Sequence, residues 1–162
     1  MSTRPAGWWG PFIAGALAAA LVAALGATMT DLGPWYRDLR KPAWQPPDWA
    51  FGPAWTLIFA LTALSGVISW RSAPDRTRRE WIIGLFALNG FLNILWSALF
   101  FRAKRPDWAL VEVVFLWLSI VWLIAGATRH SRSARLLLVP YIAWVTFAAI
   151  LNLAIVRLNG PF

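Results

Sequence analysis

Two rows of polar and aromatic residues contain most of the side chains in this sequence that could bind a ligand. In the first row Asn89 and Asn93 lie four residues apart, and Trp96 and Phe100 continue the series. At about 100° per residue of an α-helix these positions fall within roughly 60° of one another, so two amides and two aromatic rings share one stripe. The second row repeats this spacing at four positions: Tyr141, Trp144, Ala148 and Asn152.

These stripes have two interpretations. Polar side chains in hydrocarbon are costly unless they are paired, so the amides could serve only as hydrogen-bonding contacts between helices. Alternatively, the two stripes line one cavity together with Trp55 and Phe59, which lie one helical turn apart. An aromatic wall with a few amide donors suits a large, flat, mostly apolar ligand.

Glu112 is the one ionisable residue within the long apolar segments of the chain. Such a residue is a candidate proton carrier or ion site, which would fit a small proton-coupled drug exporter. However, Glu112 follows Asp107 by only five residues, whereas an exporter's carboxylate should lie near the bilayer midplane. We therefore expect Glu112 to lie near the membrane interface, in a structural role and within reach of lipid headgroups or Arg105.

The remaining residues do not assemble a catalytic or metal site. His130 lies alone between Arg129 and Arg132, which is a weak metal signal, and we expect a solvated loop residue. The chain has no cysteine, which excludes disulfides and thiolate metal sites. No nucleophile–base pair or carboxylate dyad is apparent, so the sequence favours a protein that is not an enzyme.

Long uncharged segments determine the class of protein. Hydrophobic residues make up 59% of the 162 residues and charged residues only 14%, against about 25% charged in soluble domains. Five segments reach the roughly 20 apolar residues that a transmembrane helix needs. The sequence predicts an all-α integral membrane protein, a five-transmembrane-helix bundle forming a single domain over residues 1–162, with spans at about 9–29, 49–70, 81–101, 108–128 and 136–156.

The first span and the segment after it have distinctive compositions. Arg4 before an apolar run resembles a signal peptide, but the length of the run and the four later spans favour an uncleaved helix. Its many Ala and Gly residues favour close packing against neighbouring helices. Residues 30–48 are rich in Pro and Trp, which predicts an irregular but rigid cap.

The net charge of +8 resides mostly in short loops, so anionic membrane lipid is a simpler partner than nucleic acid.

Three motifs spread over nearly the whole chain resemble those of a known family. The capping segment reads Trp35-Tyr36-x-x-Leu39-x-Lys41-Pro42-x-Trp44-x-Pro46-Pro47-x-Trp49, followed by Ala54-Trp55. Two further stretches agree, from Phe86-Ala87-Leu88-Asn89 to Ser97 and from Val139-Pro140-Tyr141 to Asn152. Together they resemble the tryptophan-rich sensory protein and translocator protein family (TspO/MBR), once called peripheral benzodiazepine receptors.

The resemblance implies a five-helix bundle, often a homodimer, that binds porphyrins such as protoporphyrin IX or heme in a pocket beneath the first loop. Animal members, in the mitochondrial outer membrane, also bind cholesterol and benzodiazepine-type drugs. The proposed sterol motif requires a basic residue within about five positions of a tyrosine. Because the next basic residue after Tyr141 is Arg157, we do not expect sterol binding through the last span.

These observations lead to one functional hypothesis and two alternatives. We expect a receptor or sensor in a bacterial membrane that binds porphyrin or a drug-like apolar ligand, with no obligatory cofactor. It would transport the porphyrin or promote its photo-oxidative degradation, with Trp35 as the candidate catalytic residue that the resemblance implies. The alternatives are the exporter that uses Glu112 and a purely structural partner protein. The candidate ligand-binding residues are Trp35, Tyr36, Trp55, Phe59, Asn89, Asn93, Trp96, Tyr141, Trp144, Ala148 and Asn152.

Overall fold

A computed structural model describes residues 9–127 and 129–162 of the chain. Arg4 and Thr128, which enter the prediction of the first and fourth spans, lie outside the described residues. The helices are α1 (Trp9–Met29), α2 (Pro34–Asp38), α3 (Phe51–Ser72), α4 (Arg76–Ser97), α5 (Pro106–Trp122), α6 (Arg132–Leu137) and α7 (Val139–Asn159).

Five of the helical segments are long and apolar enough to cross a membrane. A 3-10 turn at Asp48–Ala50 precedes α3, and π-helical turns at Ala98–Arg102 and Leu123–Ala127 extend α4 and α5. The last crossing segment combines α6 and α7. The predicted all-helical membrane protein with five transmembrane helices is therefore confirmed.

Polar capping residues determine where α4 and α6 begin. The Asp75 carboxylate accepts a hydrogen bond from the backbone N–H of Arg78 at 2.7 Å, so α4 begins five residues before the predicted Trp81. Ser131 caps α6 in the same way, accepting from the backbone N–H of Ala134. Polar side chains thus extend the helices beyond their apolar windows.

The bundle is built around α5, and α1 lies at its outside. α5 packs against α4 and α7, whereas α1 packs against α3 and α4. Ile120 of α5 is completely buried, and Ile82 and Val145 of the neighbouring helices are buried around it. None of the residues of α1 is buried. The small side chains of α1 therefore leave space between α1, α3 and α4, and this space contains both cavities described below.

Candidate ligand-binding cavity

A cavity of about 620 Å³ lies under the first loop and between α1, α3, α4 and α7. This volume falls within the range of about 300–1,000 Å³ that is typical of small-molecule sites. Eight of the eleven candidate residues line it: Tyr36, Trp55, Phe59, Asn93, Trp96, Trp144, Ala148 and Asn152.

Stacked aromatic pairs form two walls of this capped cavity. On α3, Trp55 stacks on Phe59 with 5.3 Å between ring centroids and 24° between planes. At the end of α4, Trp96 stacks on Phe100 at 5.1 Å and 27°. The ring of Trp144 on α7 meets Trp55 edge-on at 6.4 Å. These rings give the cavity broad apolar surfaces.

Four buried polar atoms of the lining residues have no hydrogen-bond partner among the described residues. They are Oε1 of Gln45, Nε1 of Trp96, Nε1 of Trp144 and Oδ1 of Asn152. The amide nitrogen of Asn152 is satisfied, because it donates to the backbone carbonyl of Pro106 at 2.9 Å. An unsatisfied buried polar group costs about 1–3 kcal/mol, so a ligand with acceptors for the indole N–H groups and donors for the amide oxygens would offset part of this cost.

A small hydrogen-bond network lies at the mouth of the cavity. The Tyr36 hydroxyl donates to Oδ1 of Asp48 at 3.0 Å and accepts from Nε2 of Gln45 at 3.2 Å. Burial raises the pKa of Tyr36 to about 12, and the hydrogen bond to Asp48 and its negative charge act in the same direction. The ammonium group of Lys41 lies 3.9 Å from the centroid of the Tyr36 ring. The mouth is therefore polar, whereas the walls are aromatic.

The first loop is anchored to the end of α7 by a reciprocal pair of hydrogen bonds. The backbone N–H of Arg40 donates to Oδ1 of Asn159 at 2.8 Å, and Nδ2 of Asn159 donates to the carbonyl of Arg40 at 2.9 Å. Three turns earlier on α7, the ring of Phe147 contacts Trp44 of the loop edge-on at 5.8 Å. These contacts hold the Pro- and Trp-rich segment over the cavity.

Comparison with known proteins agrees with the motif pattern. The sequence model of the TspO/MBR family matches residues 12–158. The chain belongs to the TspO/MBR family. It is 44% identical to the tryptophan-rich protein TspO of Chlorobaculum tepidum over 131 residues, which covers 77% of this chain and 79% of that one.

Two other relatives extend the comparison beyond bacteria. The tryptophan-rich protein TspO of Archaeoglobus fulgidus is 38% identical, with 82% of this chain and 85% of the relative covered. The human translocator protein is 31% identical, with 77% of this chain and 75% of the relative covered. The resemblance inferred from the motifs is confirmed, and so is the prediction of an integral multi-pass membrane protein.

The helical spacing predicted one cavity, but in the described part of the chain the stripe residues are divided between two. Asn89 and Tyr141 line a second cavity of about 600 Å³ between α1, α3 and α4, and Phe59 and Asn93 border both cavities. The Tyr141 hydroxyl donates to Oδ1 of Asn89 at 3.1 Å and accepts from Nδ2 of Asn93 at 3.3 Å. Nδ2 of Asn89 donates to the Ser119 hydroxyl at 2.8 Å. This network crosses the bundle, and therefore the stripes are divided between two cavities.

Trp35 lies beside the capped cavity but does not line it. Its half-buried ring meets Phe100 edge-on at 6.1 Å, and Phe100 does line the cavity. Consecutive residues of the short helix α2 point about 100° apart, so Tyr36 reaches the cavity and Trp35 does not. We expected Trp35 to line the pocket, but in the structure it lies behind the lining.

The expectation that Glu112 reaches lipid headgroups or Arg105 was wrong, whereas its depth in the membrane stays a prediction. Glu112 is only 6% exposed, and neither carboxylate oxygen has a hydrogen-bond partner among the described residues. Arg105 binds Asp107 instead, with Nε donating to Oδ1 at 2.8 Å. Glu112 shares the buried face of α5 with Ala109 and Leu116, and it lines neither cavity. His130 is exposed, as expected for a loop residue.

Sequence reasoning missed several residues of the cavity lining. Gln45 and Asp48 lie in the loop, where no helical period relates them to the stripes. The α1 residues Ala23, Gly26 and Ala27 also line the cavity, and their small size was interpreted only as a packing feature. Their spacing of three and one residues places them on one face of α1, which is the signal that could have identified them.

Proposed function

We propose that this TspO/MBR protein is a membrane receptor or sensor that binds a porphyrin, such as protoporphyrin IX, in the capped cavity. The observation that carries the proposal is the combination of stacked aromatic walls with the unpartnered indole N–H groups of Trp96 and Trp144. A porphyrin is a flat apolar macrocycle with carboxylate side chains. Aromatic faces suit the macrocycle, and buried N–H donors suit its acceptors.

The mouth of the cavity supports an orientation for the bound porphyrin. Lys41 and Gln45 lie at the polar end, where they could bind the carboxylates, and Trp55 and Trp96 belong to the aromatic walls. In this orientation the macrocycle is inserted first and the carboxylates stay near the loop. The proposed interaction is non-covalent and needs no obligatory cofactor.

Titration of the purified protein with protoporphyrin IX tests the proposal. Binding is followed through porphyrin absorbance and through quenching of tryptophan emission, in detergent and in nanodiscs, with empty nanodiscs as the control. We expect saturation near one porphyrin per chain, because one capped cavity serves each chain. A linear, unsaturable signal that matches the empty nanodiscs would show partitioning into lipid and reject the proposal.

Transport and photo-oxidative degradation are the two proposed fates of the bound porphyrin. Light-excited porphyrin transfers energy to oxygen, and the singlet oxygen that forms adds to a nearby indole. The indole peroxide is then an oxidant held close to the macrocycle, and its reduction balances the oxidation of the porphyrin. The ring of Trp35 contacts Phe100, which lines the cavity, and this contact supports a role for Trp35 in this photochemistry. A homodimer is also part of the proposal, as the resemblance implies, and mass measurement of the complex in nanodiscs tests it.

A proton-coupled exporter is the second candidate function. It is favoured by one observation, the buried and unpartnered carboxylate of Glu112 within a crossing segment. Ionisable groups in such positions are expensive and often functional. Porphyrin uptake into proteoliposomes under an imposed pH gradient tests this function. Gradient-driven uptake that disappears in Glu112→Gln would support the exporter.

A further inference from the structure

The second cavity is an elongated slot along the helices. On α1 its lining extends from Gly10 to Val22, and on α3 from Phe59 to Trp70. With a rise of 1.5 Å per residue, these stretches correspond to about 18 Å and about 16 Å. One leaflet of the hydrocarbon core is about 15 Å deep, half of the total thickness of about 30 Å. The slot is therefore about as long as one leaflet is deep.

The lining of the slot is mostly apolar, with its polar residues Thr62, Asn89, Asn93 and Tyr141 among small and aromatic side chains. The slot opens sideways between α1 and α4. Two pairs of exposed residues line the slot, Ala14 and Ala18 on α1 and Ile83 and Ala87 on α4. These exposed pairs are each four residues apart, so they form the two edges of one lateral opening. In a bilayer, the opening faces the acyl chains of the surrounding lipid.

Close contacts of α1 with both neighbouring helices fix the width of the slot. A Cβ atom on Gly15 would lie 2.8 Å from Cγ2 of Val67 on α3, and one on Gly90 of α4 would lie 2.9 Å from Cγ2 of Val22. At these two points the helices are already as close as glycine allows. By contrast, the atoms nearest to a Cβ atom on Gly66 would be those of the Phe86 ring, at an ordinary contact distance of 3.5 Å.

A cationic side chain lies at the membrane-surface end of the slot. The guanidinium of Arg79 lies 4.7 Å from the ring centroid of Trp70, which lines the slot. The Nε atom of Arg79 is buried and has no hydrogen-bond partner among the described residues. Arg79 also lies one turn before Ile83 on the same face of α4. The slot therefore has an apolar body and a positively charged end.

We propose that the slot binds one acyl chain of an anionic phospholipid, whose phosphate group lies beside Arg79. The length of the slot, its lateral opening and its charged end match a lipid of one leaflet. A porphyrin suits the slot less well, because the slot lacks the unpartnered indole donors of the capped cavity. The proposal is independent of porphyrin binding.

Native mass spectrometry of retained lipid tests the proposal. The protein is reconstituted in nanodiscs with equal amounts of phosphatidylglycerol and phosphatidylcholine and then extracted in mild detergent. We expect about one phosphatidylglycerol retained per chain. Arg79→Gln should lower its retention about fivefold, which corresponds to about 1 kcal/mol for one basic residue near anionic lipid.

Two further variants make this test specific. Arg76→Gln is the matched control, because it removes the same charge from an exposed residue that pairs with Glu80 at 2.7 Å. It should retain the lipid as the wild type does. Gly66→Leu fills the slot and should abolish retention of the lipid. Protoporphyrin IX titration of the same variants should give wild-type affinity, so failure of this proposal and failure of porphyrin binding remain distinguishable.

Several results would overturn the lipid site. Equal retention by Arg79→Gln and Arg76→Gln would remove the role of Arg79, and this comparison stands even if Gly66→Leu fails to fold. Equal retention of phosphatidylcholine would remove the selectivity for anionic lipid. If the wild type retained no lipid and Gly66→Leu dissociated a dimer, the slot would bind a second copy of the chain instead.

Discussion

Replacing Trp144 by alanine gives the sharpest test of the capped cavity. The half-buried ring of Trp144 is held by edge-on or tilted contacts with Phe51, Trp55 and Phe147, with centroids 5.6–6.4 Å apart. A contact with the macrocycle is worth about 1 kcal/mol, as for other aromatic pairs. A hydrogen bond from the unpartnered indole N–H adds about 1 kcal/mol. We expect Trp144→Ala to weaken protoporphyrin IX binding about 30-fold.

Two companion variants separate these contributions and control for folding. Trp144→Phe keeps an aromatic ring but loses the N–H donor, so the dissociation constant should rise only about fivefold. Trp122→Ala removes an exposed indole that lines neither cavity and should leave the affinity unchanged. Circular dichroism should give the same helical content for all three variants. A dissociation constant for Trp144→Ala within twofold of the wild-type value would refute the proposed binding mode.

The other predictions concern four residues around the cavities. Asn93→Leu should weaken porphyrin binding about tenfold, measured by the same titration, because it removes an amide that borders both cavities. Glu112→Gln should leave porphyrin affinity and its pH dependence unchanged, since Glu112 lines neither cavity; a tenfold change in affinity would contradict this. Illuminating the complex in air should bleach the porphyrin bands faster than in free porphyrin, and Trp35→Phe should slow bleaching without loss of binding; equal bleaching rates would leave Trp35 without a photochemical role. Tyr36 should ionise near pH 12 rather than near pH 10, so its contribution to stability is complete below pH 10 and is lost as the pH rises through 12. The difference in tyrosinate absorbance between wild type and Tyr36→Phe measures this ionisation, and a midpoint near pH 10 would contradict it.

The five crossing helices were predictable because the bilayer requires long uncharged windows. Their ends were less predictable, since a helix continues outside the hydrocarbon wherever a polar residue caps it. Asp75 extends α4 by five residues in this way, and Ser131 starts the separate helix α6. Pro140 in the first turn of α7 lacks a backbone N–H, which explains why the last crossing segment divides there.

The stripes were predictable from helical spacing, but their division between two cavities was not. Spacing determines which face of a helix a residue occupies, and it contains no information about what lies at each depth on the neighbouring helices. Tyr141 and Trp144 share a face of α7, yet only Trp144 lines the capped cavity. Tyr141 is held instead by its hydrogen bonds to Asn89 and Asn93, in the network that separates the two cavities. For Glu112, helical spacing was the informative feature and was not used. Its proximity in sequence to Asp107 indicated the interface, whereas its helical phase with Leu116 places it in the bundle interior.

The composition of α1 connects both cavities. Its abundance of Ala and Gly predicted close packing, and α1 does contact α3 and α4 closely at Gly15 and Val22. However, no residue of α1 is buried, and its small side chains line the capped cavity near Gly26 and the slot near Ala18. Small residues thus serve two purposes in this helix. At the contact points they let the backbones approach, and between those points they leave the space in which a porphyrin and a lipid chain could bind.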